Sequence, residues 1–254
     1  MTKPKTASEY FDRGWDNDDQ KDSIGAISDY TKAIELNPNL PEAYYNRGRI
    51  KIDLGDTKGA IDDYTKAIEI NPELAYAYSC RAVAKDALGD TEGAIDDYTK
   101  AIEVNPTDDL NYYNRGIAKQ NLKDYSGAIS DLTKALDINP ENVEAYFIRG
   151  LGKYGLQDYA GAISDYTKAL DINPKYAQAY VNRGIAQRGL NDYSGAISDF
   201  SKAIEINPKF FQAYYNRGIT KWYQRDQQGA CEDWKKAAAL GYEDAEKIMQ
   251  EYCE

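Results

Sequence analysis

One hydrophobic pattern recurs along the chain. SIGAISDYTKAIEL at Ser23–Leu36, TKGAIDDYTKAIEI at Thr57–Ile70 and YSGAISDFSKAIEI at Tyr193–Ile206 each place apolar residues at i, i+3, i+4 and i+7. That spacing predicts an amphipathic helix. An Asp stands just before each copy (Asp22, Asp56, Asp90, Asp124, Asp158, Asp192, Asp226), where a carboxylate can accept from the orphan N–H groups of a helix start. Six copies end at Asn-Pro, with Asn37, Asn71, Asn105, Asn139, Asn173 and Asn207. Asn tolerates the left-handed conformation that closes a helix, and Pro cannot continue one. Ahead of each copy lies a second helical segment, such as AYYNRGRIKIDLG, so the pattern predicts helix pairs.

The pairs recur on a 34-residue period without insertion or deletion: 7–40, 41–74, 75–108, 109–142, 143–176, 177–210 and 211–244. Residues 1–6 form a tail, and YEDAEKIMQEYC predicts a short capping helix ending within 245–254. In every copy the fourth position is Tyr (Tyr10 to Tyr214) and the twentieth and twenty-seventh are Ala. The eighth is Gly except at Ala82, and the twenty-fourth is aromatic except at Leu132. The sequence thereby resembles the tetratricopeptide repeat (TPR) family, whose signature has an aromatic, Gly, Ala, aromatic, Ala and Pro at these places.

The resemblance implies an all-α fold, a right-handed superhelical α-solenoid of seven helix-turn-helix repeats. One helix pair cannot bury its apolar faces alone, so neighbours must stack. By family precedent the first helix of each pair lines a groove and the second faces outward. Of the 23 tyrosines, those at the fourth and twenty-fourth positions, together with Tyr125, Tyr159 and Tyr193 at the seventeenth, are expected to serve packing.

Two charged columns run through this apolar frame. The seventh position is always Arg (Arg13, Arg47, Arg81, Arg115, Arg149, Arg183, Arg217), and the twenty-third is always Asp (Asp29, Asp63, Asp97, Asp131, Asp165, Asp199, Asp233). A charge at a packing position must find a partner. The expectation is a ladder of structural pairs between helices, among them Arg47 with Asp63, Arg115 with Asp131 and Arg183 with Asp199. A row of arginines free to capture an anionic ligand is the weaker alternative.

The sixth position behaves differently: Asn46, Asn114, Asn182 and Asn216 in four copies, but Asp12, Cys80 and Ile148 in the others. Variation beside an unvarying Arg points away from a scaffold role. By analogy with the family this column faces the groove, where Asn offers a partner both donor and acceptor; a merely solvated Asn is the competing reading. The other groove columns add Tyr45, Tyr113, Phe147 and Tyr215 at the fifth position, Arg49 at the ninth, Tyr154, Arg188 and Trp222 at the twelfth, and Tyr223 at the thirteenth. The charged members are Asp12, Asp18, Asp19, Glu42, Asp53, Asp86 and Glu144 against Arg49 and Arg188, which makes the N-terminal half of the groove acidic and leaves the C-terminal half aromatic and nearly neutral. The fifth and second positions hold no Lys, which argues against the family's clamp for chaperone C-terminal carboxylates.

Composition then excludes classes of function. Net charge is −11 in 254 residues, a field that repels nucleic acid and anionic membranes. No segment approaches the length a membrane helix needs, and MTKPKTASEYFDRG lacks the apolar core of a signal peptide. With no His there is no imidazole base, no His-based triad and no His metal ligand. The stretch DNDDQKD (16–22) fails as an EF-hand loop, having Lys21 where Gly is required and Ile27 where Glu is. Three cysteines (Cys80, Cys231, Cys253) without CxxC spacing suggest neither a disulfide framework nor a zinc site, and hence a reducing cytoplasm.

These readings converge on a non-catalytic scaffold with no cofactor and no metal, holding a protein or peptide partner that carries basic and apolar residues. Self-assembly into a homo-oligomer through repeat contacts is the alternative. The phrasing of the repeats resembles bacterial, and particularly cyanobacterial, members of the family.

Overall fold

The structure, a computed structural model, describes residues 5–253. The expected tail over 1–6 falls mostly outside that range, but Thr6 caps the first helix and Glu9 closes the capping box. Among the described residues all regular structure is helical, in two compact units. The first, Met1–Lys123, holds α1 (Ala7–Asp19), α2 (Ser23–Leu36), α3 (Pro41–Asp53), α4 (Thr57–Ile70), α5 (Ala75–Ala87), α6 (Thr91–Val104) and α7 (Asp109–Asn121). The second, Asp124–Glu254, holds α8 (Tyr125–Ile138), α9 (Val143–Gly155), α10 (Tyr159–Ile172), α11 (Ala177–Gly189), α12 (Tyr193–Ile206), α13 (Phe211–Tyr223), α14 (Gln227–Ala239) and α15 (Glu243–Tyr252).

Within each unit the helices stack as a solenoid. In the first unit α1 packs on α2, α3 on α4 and α5 on α6, and each second helix packs in turn on the next first helix. The second unit repeats this arrangement from α9 to α14 and ends with α15 packed on α14. The small-residue columns make the close approach possible. A Cβ at Gly48 would come within 2.9 Å of the Tyr64 ring, and Ala60 and Ala67 beside it are fully buried.

The helix starts follow the sequence expectation, with Asp56 Oδ1 accepting from Gly59 N at 3.0 Å and Asp192 Oδ1 from Gly195 N at 2.9 Å. The helix ends do not. Asn37, expected in the left-handed region, is extended (φ −143°, ψ 97°), and the equivalent asparagines are alike. The following Pro clashes with a helical or left-handed residue before it and pushes Asn to extended backbone. Its side chain stops the helix instead, Asn37 Oδ1 accepting from Asn39 N at 3.1 Å in an Asx turn. The left-handed residue sits earlier, in the turn inside each pair, at Gly55 (φ 82°) and Gly89 (φ 86°) but also at Lys21, Lys123, Gln157, Asn191 and Arg225 (φ 61–66°).

Candidate functional site

The charged columns form rungs. Arg47 donates from Nε to Asp63 Oδ2 at 2.9 Å and from Nη2 to Oδ1 at 2.6 Å, a two-point contact repeated by Arg13–Asp29, Arg81–Asp97, Arg149–Asp165, Arg183–Asp199 and Arg217–Asp233. Each pair joins the two helices of one repeat. Nη1 then reaches back to the preceding repeat: Arg47 to Thr31, Arg81 to Thr65, Arg115 to Thr99, Arg183 to Thr167 and Arg217 to Ser201, at 2.9–3.0 Å. Each Arg also lies 5.4–5.8 Å from the centroid of the Tyr three residues before it. The aspartates are buried. Asp131, the partner expected for Arg115, is buried in the second unit, whereas Arg115 belongs to the first. Lysines one turn after the arginines complete several rungs, as Lys51 Nζ to Asp63 at 2.8 Å and Lys153 Nζ to Asp165 at 2.8 Å. That third position is Lys in five of the seven copies and the hydroxyl position is Thr or Ser in six, columns legible in the sequence.

In the first unit the first helices α1, α3, α5 and α7 line two adjoining hollows. One, of about 530 Å³, is bordered by Trp15, Asp18, Asp19, Lys21, Tyr45, Asn46 and Arg49. Trp15 is 57% exposed there. The second, about 290 Å³, is apolar, with Ile52, Val83 and Leu110 on its walls and Cys80 and Asn114 among its lining. Trp15 and Val83 occupy the same ninth column as Arg49, so that column marks both of them in the sequence.

Individual members are placed differently from the simple picture of side chains pointing into solvent. Asn46 is buried at 5% exposure, so the solvated alternative for it is wrong. Arg49 pairs with Asp18. Tyr45 is half-buried, 4.5 Å from the Tyr76 ring, with its hydroxyl against Cys80 Sγ. Tyr113 lies partly buried on α7. Burial pushes Tyr30, Tyr45 and Tyr98 up to about 12 and raises the Cys80 thiol, which suits a packing residue rather than a nucleophile. The DNDDQKD segment is spent on structure: Asn17 donates to Asp29, Asp18 pairs with Arg49 and Asp22 caps α2.

In the second unit Phe147 packs against Tyr166 and Tyr176, and Tyr215 against Tyr242, so the fifth-column aromatics fill seams between helices. The Asn182 and Asn216 amides donate to their own helices, at Gln178 O and Gln212 O. Trp222 lies between Trp234 (5.8 Å) and Tyr252 (5.0 Å), under the capping helix. Tyr154, Arg188 and Tyr223 do come together, around a hollow of about 270 Å³.

The cysteine expectation is corrected at the cap. Cys231 on α14 and Cys253 after α15 form a disulfide, their Cα atoms 5.7 Å apart. Sequence spacing concealed it because the turn at Leu240–Tyr242 folds α15 back along α14 and joins positions 22 residues apart. The argument for a reducing compartment falls with it. Among the described residues no helix is long and apolar enough to cross a membrane.

Comparison with known proteins fits this geometry. The tetratricopeptide repeat family profile matches residues 41–74, 75–108, 112–142 and 177–210, and a second TPR repeat profile matches 24–51 and 152–190. The chain belongs to the tetratricopeptide repeat family. Among solved structures it is similar to MamA (27% identity, 66% of this chain and 92% of that one, TM-score 0.64). It is also similar to YrrB, described as a TPR protein with an unusual peptide-binding site (24%, 72% and 95%, TM-score 0.68). A tetratricopeptide repeat protein from Parabacteroides merdae matches over nearly its whole length (24%, 97% and 96%, TM-score 0.66). No curated protein matches the chain.

Proposed function

We propose that this chain is a non-catalytic scaffold whose first helices hold a segment of a partner protein bearing basic and apolar residues. The observation that carries the reading is Trp15, a large aromatic left more than half exposed over a hollow that adjoins an apolar recess. Exposed aromatics beside apolar pockets are the usual anchors of an interface. Four exposed carboxylates on the same row of helices, Asp12, Asp19, Glu42 and Asp53, supply charge complementary to a basic segment. The chemistry offered is adhesion and orientation.

Selection from a random phage-displayed dodecapeptide library tests this. Wild-type protein is expected to enrich sequences combining Lys or Arg with apolar residues. A Trp15→Ala/Val83→Asp variant, altered only at exposed positions, is expected to lose them while melting near the wild-type temperature. The same enriched set from both proteins, or enrichment without basic and apolar residues, would overturn the reading.

A further inference from the structure

The second unit contains a cation without a counter-charge. Its column arginines, Arg149, Arg183 and Arg217, each grip a buried carboxylate at two points. Arg188, near the end of α11, grips none: among the described residues no carboxylate lies in ion-pair range. Among the described residues its one hydrogen bond runs from Nη1 to Asn216 O at 3.3 Å. A guanidinium carries five N–H donors, so most of its capacity is unspent. Yet the side chain is partly buried, and loss of solvation pulls its pKa down. Nature seldom leaves a desolvated charge unpaired, because the cost is not returned.

Around this cation the walls are aromatic and polar. Tyr154, Tyr193, Tyr223 and Asn191 border the same 270 Å³ hollow, with Ile185 on its apolar side. The rings are held by packing: Tyr193 stacks on Tyr223 (5.8 Å, 5° between planes) and Tyr154 leans on Tyr159 at 5.4 Å. Tyr193 is further fixed by its hydroxyl bond to Asn191 Oδ1 at 2.9 Å. A planar fork beside fixed aromatic rings fits a carboxylate carried on a short stem, which it can take at two points.

We infer that Arg188 and the tyrosines around it form a binding site for an aspartate or glutamate side chain of a partner segment. The carrier follows from the scaffold reading above, whereas the anion preference stands on Arg188 alone. The site gives the second unit a requirement opposite in sign to that of the first.

NMR of arginine side chains tests it on the full chain, with N-acetylglutamate amide, N-acetylglutamine amide and inorganic phosphate as probes. The Arg188 Nε–H resonance, assigned by its absence in Arg188→Gln, should shift saturably with the glutamate probe and not with the glutamine one. The column arginines should stay in place. Arg188→Gln should melt at or above the wild-type temperature, since it removes an uncompensated charge. No saturable shift, an equal shift with glutamine, a stronger response to phosphate, or a lowered melting temperature for Arg188→Gln would each overturn the assignment. Such a failure leaves the first-unit reading intact, because different residues and a different probe test that one.

Discussion

Arg47 Nη1 donates to Thr31 Oγ1 at 3.0 Å, so an arginine fixed inside one repeat is also tied to the repeat before it. The guanidinium serves three partners at once: the Asp63 carboxylate, the Thr31 hydroxyl and the face of Tyr44. Asp63→Ala would leave Arg47 and Lys51 without their shared counter-charge, at a cost of about 3–5 kcal/mol. Thr31→Val would remove one hydrogen bond from a guanidinium that keeps its carboxylate, at about 1 kcal/mol. Urea denaturation of the two variants measures both, and equal losses would contradict the ordering.

Alkali should attack the core through its tyrosines. Burial raises Tyr30, Tyr45 and Tyr98 from 10.0 to about 12. A folded-state pKa above the unfolded one means the neutral phenol is favoured by folding. That contribution is complete below about pH 10 and is lost as pH rises towards 12. The last part of the rise in phenolate absorbance and the loss of helical circular dichroism are therefore expected together in that window. Phenolate formation complete by pH 10.5 with the helices intact would refute this.

The turns inside the helix pairs hold strain that can be relieved. Gln157 adopts φ 62° where Gly55 and Gly89 perform the same turn. A side chain in the left-handed region costs roughly 1 kcal/mol, partly offset by the extra unfolded-state entropy of Gly. Gln157→Gly is expected to raise stability by a few tenths to about 1 kcal/mol, read as a higher urea midpoint. The same change at Leu156, one residue earlier and outside that region, should destabilise.

Reduction should loosen the C-terminal cap. The Cys231–Cys253 bond closes a loop of 22 residues, worth about 3 kcal/mol by chain entropy. Reductant is expected to speed proteolysis within α15 and to expose Trp222, seen as a red shift of tryptophan emission. Cys253→Ser should behave as the reduced protein does without reductant. Identical cleavage rates in both states would show that the cap holds without the bond.

Much of this architecture is legible in the sequence because the repeat sets a ruler, and columns of Tyr, Gly and Ala can be read only as packing. Arg–Asp pairing follows from the same ruler, since two opposite charges at fixed positions must meet or be expelled. What escaped depends on departures from the ruler. Cys253 lies beyond the last repeat, and its partner is chosen by a turn rather than by a spacing. The asparagine ends were misjudged because Pro restricts the residue before it more firmly than Asn favours the left-handed region. At the candidate sites the column assignment located Tyr154, Arg188 and Tyr223 but could not tell exposure from burial. At groove-column positions Asn46 is nonetheless buried, and Trp222 packs against Trp234.

The tie between Thr31 and Arg47 has its counterpart between Thr65 and Arg81, so within the first unit the Arg47–Asp63 and Arg81–Asp97 pairs are each finished by the repeat before them. In a linear array, unfolding is all-or-none only while the junctions are strong compared with the repeats they join. The hydroxyls act at the junctions and the carboxylates act inside the repeats. Cooperativity and stability are thus controlled by different atoms. A single methyl-for-hydroxyl exchange at Thr65 would choose where the row first comes apart and leave the repeats on either side nearly as strong as before.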